Sequence, residues 1–167
     1  TFPDALDDGR PVVLDFVFTT CATICPVSSR VFAQLQERLR GERVHLVSIS
    51  IDPEQDTPAR LAEYARRYGA GPGWRHYTGT VEASVALQRA FDAYRGDKMN
   101  HTPVTFLRGA PDRPWVRLDG FASAEELARE PQPGALGPAL RHVVGGEHGA
   151  RAAPLGAEAP VPVPAAD

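Results

Sequence analysis

Between Pro11 and Phe18 the chain reads PVVLDFVF, a β-branched and aromatic run with one interior charge. Such a run is too short for a buried helix and fits a central strand covered on both faces. The segment after this strand fixes the fold class. Pro26 stands where a first helical residue loses nothing by lacking an N–H. Val27, Val31, Leu35 and Leu39 then recur every four residues as an apolar stripe, and Gly41 ends the pattern. Strand and helix patterns go on alternating. Val44 to Ile51 (VHLVSISI) reads as a second strand, broken by Asp52-Pro53. Thr57-Pro58 caps a second helix with Leu61, Tyr64, Ala65 and Tyr68 on one face, stopped by Gly69. Trp74 to Thr78 is a short third strand, and Thr80 opens a third helix with Val81, Val85, Leu87 and Phe91 as apolar positions. Val104–Leu107 and Trp115–Leu118 flank the turn Pro111-Asp112-Arg113-Pro114 and form a hairpin, and Ser123 caps a fourth helix to about Arg129. Alternation of this kind predicts an α/β domain on a mixed sheet with helices on both faces, the element order of a thioredoxin-like fold.

The pattern weakens after Glu130. Pro131, Pro133, Gly134 and Gly137 interrupt it, and Ala139 to Val144 is read as a short terminal helical turn. From Gly145 the composition is Gly, Ala, Pro and Glu, which cannot bury enough apolar area to offset the entropy of ordering. Residues 1–144 are therefore expected to form the domain and 145–167 a disordered tail that ligand binding does not need. A formal net charge of -3 gives no electrostatic case for nucleic acid. No stretch approaches the roughly 20 apolar residues that span a bilayer. The chain opens at Thr1-Phe2-Pro3, close before a strong strand, so an upstream signal or membrane anchor remains compatible with it.

Its only two cysteines are Cys21 and Cys25. A pair so close encloses too small a loop to brace a domain, which points to chemistry rather than scaffolding. They lie between the first strand and the first helix, where α/β sheets gather ligands and where a helix N-terminus favours thiolate. Four residues apart on helical backbone, they share one face, with Cβ atoms about 5–6 Å apart. That suits two thiolates on one metal ion, and a disulfide only if the loop tightens. Two soft thiolates suit copper(I) better than a structural zinc site, which wants four protein ligands. The inert alternative is a pair of buried structural cysteines. Asp15, six residues before Cys21, is a second anomaly, because a carboxylate in an apolar strand is costly unless paired or protonated. A salt bridge to a helix residue is its structural explanation. Asp52 and Asp56 read as turn and cap residues, or as carboxylates supporting a metal site. His45 and His76 read as packing residues, His142 and His148 as adventitious metal binders at most, and Met99 as an ordinary loop residue or a weak thioether contact.

Taken together, FVFTTCATICP, ISIDPEQDTP and NHTPVTFL resemble the SCO/SenC family in motif and in order, over roughly Val12 to Phe121. The resemblance implies copper, Cu(I) or Cu(II), bound through Cys21, Cys25 and His101. It implies a role in assembling the dinuclear copper centre of cytochrome c oxidase, with an oxidase subunit as the receiving partner. It also implies a periplasmic or other extracytoplasmic location, often on an N-terminal membrane anchor absent from this chain. Some family members reduce thiols of the copper centre, so a thiol–disulfide oxidoreductase acting on a protein partner is the alternative. In it Cys21 attacks a partner disulfide, Cys25 resolves, and Asp15 serves as base. A peroxidase and a binding domain without chemistry are further alternatives. Two departures stand out. Ala22 replaces the proline that many members carry after the first cysteine, and only Gly96 to Asn100 separate the third helix from His101 in this reading. Thr102-Pro103 also resembles the cis-proline segment that faces the redox site of thioredoxins.

Overall fold

The computed structural model describes residues 4–129, 142–144 and 161–162. Its elements run β1 (Val12–Val17), α1 (Ile24–Arg38), β2 (His45–Ser50), α2 (Pro58–Arg67), β3 (Trp74–Thr78), α3 (Val81–Ala90), β4 (Val104–Arg108), β5 (Trp115–Asp119), α4 (Ala124–Arg129), β6 (His142–Val144) and β7 (Val161–Pro162). Among the described residues the sheet has seven strands, in the order β6-β5-β4-β1-β2-β3-β7. β1, β2 and β3 are mutually parallel, and each remaining neighbour pair is antiparallel. The α/β alternation and the mixed sheet are as the sequence leads one to expect.

Successive strand residues face opposite ways, so β1 feeds two cores. Val12, Leu14 and Phe16 meet Leu87 and Phe91 at α3, with Val47, Ile49, Tyr77 and Phe106. Val13 joins Phe32, Leu35 and Leu39 of the α1 region, Leu127 of α4, and Trp74. Helices thus cover both faces. Thr57 caps α2 by accepting the Arg60 N–H (3.3 Å). At α4, Ser123 and Glu126 exchange hydrogen bonds as a capping box (3.2 and 2.7 Å).

The inward faces of two helices keep part of the apolar stripes in the sequence, Leu35, Leu39, Leu87 and Phe91 being buried and Val31 packed against the core, and add residues outside them. On α1 the buried positions are Cys25, Ser29, Phe32 and Leu35, while Val27 is 40% exposed. The large Phe32 ring sets the phase by packing on Trp74, centroids 5.7 Å apart. On α3 it is Ser84, Leu87 and Gln88 that turn inward, leaving Val81 exposed. The Ser84 hydroxyl donates to the Ser50 carbonyl (3.0 Å), and the Gln88 amide donates to Ser84. Satisfied polar groups can be buried, and counting apolar residues misses them. His142–Val144 is a strand beside β5 rather than a helical turn, consistent with its β-branched valines. Within the segment read as a tail, Val161–Pro162 pairs with β3; the rest of that segment, with His148, lies outside the described residues, as does the His142 side chain. Among the described residues no peptide bond is cis, so Thr102-Pro103 is trans. The two isomers of an X-Pro bond differ too little for sequence to choose between them. Here the Pro103 carbonyl accepts the Gly120 N–H (2.9 Å), tying the start of β4 to the end of β5.

Candidate functional site

The topology brings three loops to one end of the sheet. The chain leaves the carboxyl end of β1 into Cys21 and α1. It leaves the carboxyl end of β2 into the Asp52–Asp56 turn. β4 runs antiparallel to β1, so the residues that enter β4, including His101, start at the same end.

Cys21 lies in the loop, partly buried, and Cys25 is buried as the second residue of α1; both are free thiols. The helix therefore begins two residues before Pro26, whose missing N–H still falls in the first turn. Thr23 at the N-cap makes no side-chain capping bond. Instead the Cys25 N–H donates to the Cys21 sulfur at 3.4 Å. Burial works to raise the Cys21 thiol, but N–H groups of Cys25, Thr23 and Ile24 outweigh it and the thiol sits below its ordinary value. Burial drives Cys25 far the other way, and the neighbouring Cys21 and Asp15 charges add to the rise. The pair is asymmetric: an accessible, thiolate-prone Cys21 stands over a protonated Cys25.

Asp15 lies on the same face of the sheet as Cys25. Its partner is not a helix cation but Ser48 of β2, whose hydroxyl donates to Oδ1 at 2.6 Å. A hydroxyl on the adjacent strand is nearer to a mid-strand carboxylate than any helix head group, which is why the expected salt bridge is absent. Oδ2 has no partner. Burial raises this carboxyl to about 7, with the Ser48 bond opposing. In the strand register Thr105, Asp15, Ser48 and His76 form one polar row across β4, β1, β2 and β3. Trp74 Nε1 donates to the Ser48 hydroxyl (3.0 Å). His76 is buried with Nε2 unpartnered, and burial lowers it to about 4, so it is neutral at ordinary pH. His45 is buried as well, with Nε2 3.1 Å from the Asp8 carboxylate. Both histidines are buried in strands, as their place in the sequence suggests, and the His76 ring packs against Tyr64 and Trp74.

His101 is half-buried. Its ring packs edge-on against Phe18, centroids 6.1 Å apart, and Phe18 in turn packs with Cys25. Burial lowers the imidazole below its ordinary value, against a hydrogen bond to the Phe16 backbone, leaving it neutral and able to ligate. It also lines a cavity of about 170 Å³ beneath α3 that neither cysteine lines. Among the described residues no three His, Cys, Asp or Glu side chains converge closely enough to hold a metal ion. The thiols are together; the imidazole stands one aromatic ring away. α3 ends at Ala90, so the stretch before His101 is longer than the sequence suggests, and a 3-10 turn at Lys98–Asn100 shapes it. Met99 is 75% exposed and points to no ligand role.

From sequence, Asp52 and Asp56 read mainly as turn residues, and their actual use goes unseen. Asp56 is fully buried and accepts from Thr19, two residues before Cys21, and from Ser50. Asp52 pairs with Lys98, three residues before His101. Aspartates at both ends of one five-residue turn, where backbone bonds alone would close it, are the sequence signal for this.

The SCO1/SenC family profile matches residues 2–132. The chain belongs to the SCO1/SenC family. It is 35% identical over 80 residues to the SCO1 protein homolog of Bacillus subtilis (strain 168), a match covering 46% of this chain and 42% of that protein. The chain thus matches less than half the length of that relative. Among solved SCO structures, Arabidopsis thaliana ScoI with copper bound superposes with a TM-score of 0.62 at 25% identity, over 75% of this chain and 83% of that one. BsSco, described as having a disulfide switch and as a member of the Sco family of cytochrome c oxidase assembly proteins, superposes at 0.60 with 27% identity, over 75% and 79%. These SCO neighbours share the thioredoxin-like architecture found here. No helix of the described residues is long and apolar enough to cross a membrane.

Proposed function

We propose that this chain is a copper(I) metallochaperone for assembly of the dinuclear copper centre of cytochrome c oxidase, taking copper as cargo on Cys21, Cys25 and His101. The observation that carries the reading is the asymmetric pair of free thiols at the start of α1, with a neutral imidazole on the neighbouring loop. The copper-bound ScoI neighbour and the oxidase-assembly description of BsSco support it. Copper(I) meets the Cys21 sulfur first, because that thiol is accessible and the more acidic. Binding of Cys25 releases its proton to solvent, driven by the metal–sulfur bond. His101 completes the site by leaving the Phe18 ring and approaching the thiolates. Delivery is ligand exchange: an incoming partner thiolate bonds to copper as a protein thiolate leaves, and no electron changes hands. The setting we assign is extracytoplasmic, periplasmic in a bacterium, with an oxidase subunit as the receiver.

Reduced chain titrated anaerobically with copper(I) against a competing chelator at neutral pH should retain one copper per chain. Complete loss of copper to the chelator would contradict the reading.

A second reading, thiol–disulfide oxidoreductase, is favoured by one observation, the unpartnered Asp15 oxygen near a protonated Cys25. In that reaction the Cys21 thiolate attacks a partner disulfide, and one partner sulfur leaves as a thiolate. Cys25 then attacks Cys21, its proton passes to Asp15, and the second partner sulfur is released. The partner disulfide is reduced to two thiols, and Cys21 and Cys25 are oxidised to a disulfide.

A further inference from the structure

The Asp52–Asp56 turn is closed by its own backbone: the Gln55 and Asp56 N–H groups donate to the Asp52 carbonyl (3.0 and 2.8 Å). The carboxylates of Asp52 and Asp56, at its two ends, are therefore free for other partners, and they reach in different directions. Asp56 accepts the Thr19 N–H (3.2 Å to each oxygen), the Thr19 hydroxyl (2.6 Å) and the Ser50 hydroxyl (2.7 Å). These bonds pin the loop in which the Cys21 N–H donates to the Phe18 carbonyl (3.1 Å). A fully buried carboxylate persists only where such donors satisfy it. Asp52 is anchored by its own N–H on the Ser50 hydroxyl (3.0 Å), and its carboxylate holds the Lys98 ammonium. Lys98 also lies 5.7 Å over the Phe18 ring, against which His101 packs. Its carbonyl accepts the His101 N–H (3.1 Å).

We infer that this turn is a yoke: Asp56 holds the segment bearing the thiols, Asp52 through Lys98 holds the segment bearing the imidazole, and the five-residue turn fixes one relative to the other. Asp56 and Lys98 are positioning residues. The inference rests on the reading that Cys21, Cys25 and His101 act on one copper ion. The yoke itself is a property of the copper-free chain. It makes the two arms separable: cutting one hold should disturb one ligand segment and leave the other in place.

The test uses reduced, copper-free chain and two reporters, the rate of Cys21 alkylation by iodoacetamide at pH 7 and the NMR shift of the His101 ring protons, which feel the Phe18 ring. Asp56→Asn should slow alkylation about threefold or more as Cys21 loses its place against the α1 N–H groups, with the His101 shifts unmoved. Thr19→Val, which leaves the Asp56–Ser50 bond, should act in the same direction and serves if Asp56→Asn does not fold. Lys98→Met should move the His101 shifts and leave the alkylation rate within about a factor of 1.5. Folded variants in which both reporters move together, or neither moves, would overturn the yoke. Neither reporter involves copper, so that outcome leaves the copper reading standing, and a parent that fails to bind copper leaves the yoke standing.

Discussion

A chain carrying Cys21→Ser and Cys25→Ser together should lose more than about 100-fold in copper(I) affinity, exceeding the roughly 10–100-fold that removal of an outer-shell hydrogen-bond partner costs a metal site. Hydroxyls are poor ligands for a soft ion, and the described residues offer no second group of donors. The single variants should differ. Cys21→Ser removes the accessible thiol and barely touches packing. Cys25→Ser places a hydroxyl among Val17 and Phe18 and should cost about 1–3 kcal/mol of stability unless it finds an acceptor. Far-UV circular dichroism of the double variant should match the parent. Copper(I) retained by the double variant as tightly as by the parent, measured against the same chelator, would remove the cysteines from the site.

Asp15→Asn should have the largest effect on stability, and the effect should depend on pH. Asp15 is protonated up to about pH 7 in the fold, against an ordinary aspartate value of 3.8 in the unfolded chain. Between those values the native state holds the extra proton, so stability falls as pH rises and the full penalty is present above about pH 7. A rise of this size costs on the order of 4 kcal/mol at pH 8, and on the order of 1–2 kcal/mol at pH 5. Asparagine carries no charge to desolvate and can still accept the Ser48 hydroxyl. The Tm of the variant relative to the parent should therefore climb by about 5–10 °C between pH 5 and pH 8. A difference in Tm that stays flat across that range would mean Asp15 is not held protonated. The same variant separates the two functional readings. Copper(I) affinity should hold near the parent value, whereas a reductase that relies on Asp15 as base should slow by about 10–100-fold.

Most of the fold is legible because its punctuation is local. Thr57-Pro58, Gly41, Gly69 and the Pro111–Pro114 turn mark boundaries that the structure keeps within a residue or two. What is not legible depends on contacts distant in sequence. Val27 looks as apolar as Phe32, yet Val27 is exposed while Phe32 meets Trp74 in the core. Ser84 and Gln88 are drawn inward by hydrogen bonds that residue type does not announce. Of the site, the cysteine pair and the oddity of Asp15 stand out in the sequence, since each breaks a local rule. The partner of Asp15 does not, because a sheet register brings Ser48 alongside from 33 residues away. His101 is marked only by its motif, and nothing local announces that its ring packs on Phe18 with Lys98 over the same ring. The roles of Asp52 and Asp56 stay hidden for the same reason, since their partners Lys98 and Thr19 lie 46 and 37 residues away.

X-ray absorption at the copper edge of the copper(I)-loaded, reduced chain reads the ligand set itself. Two sulfur scatterers and one imidazole nitrogen are expected around each copper. His101→Ala should lose the nitrogen, keep both sulfurs, and unfold with nearly the parent's Tm when metal-free. A His101→Ala spectrum identical to the parent's, or a parent site without paired sulfur, would rule out copper binding through Cys21, Cys25 and His101.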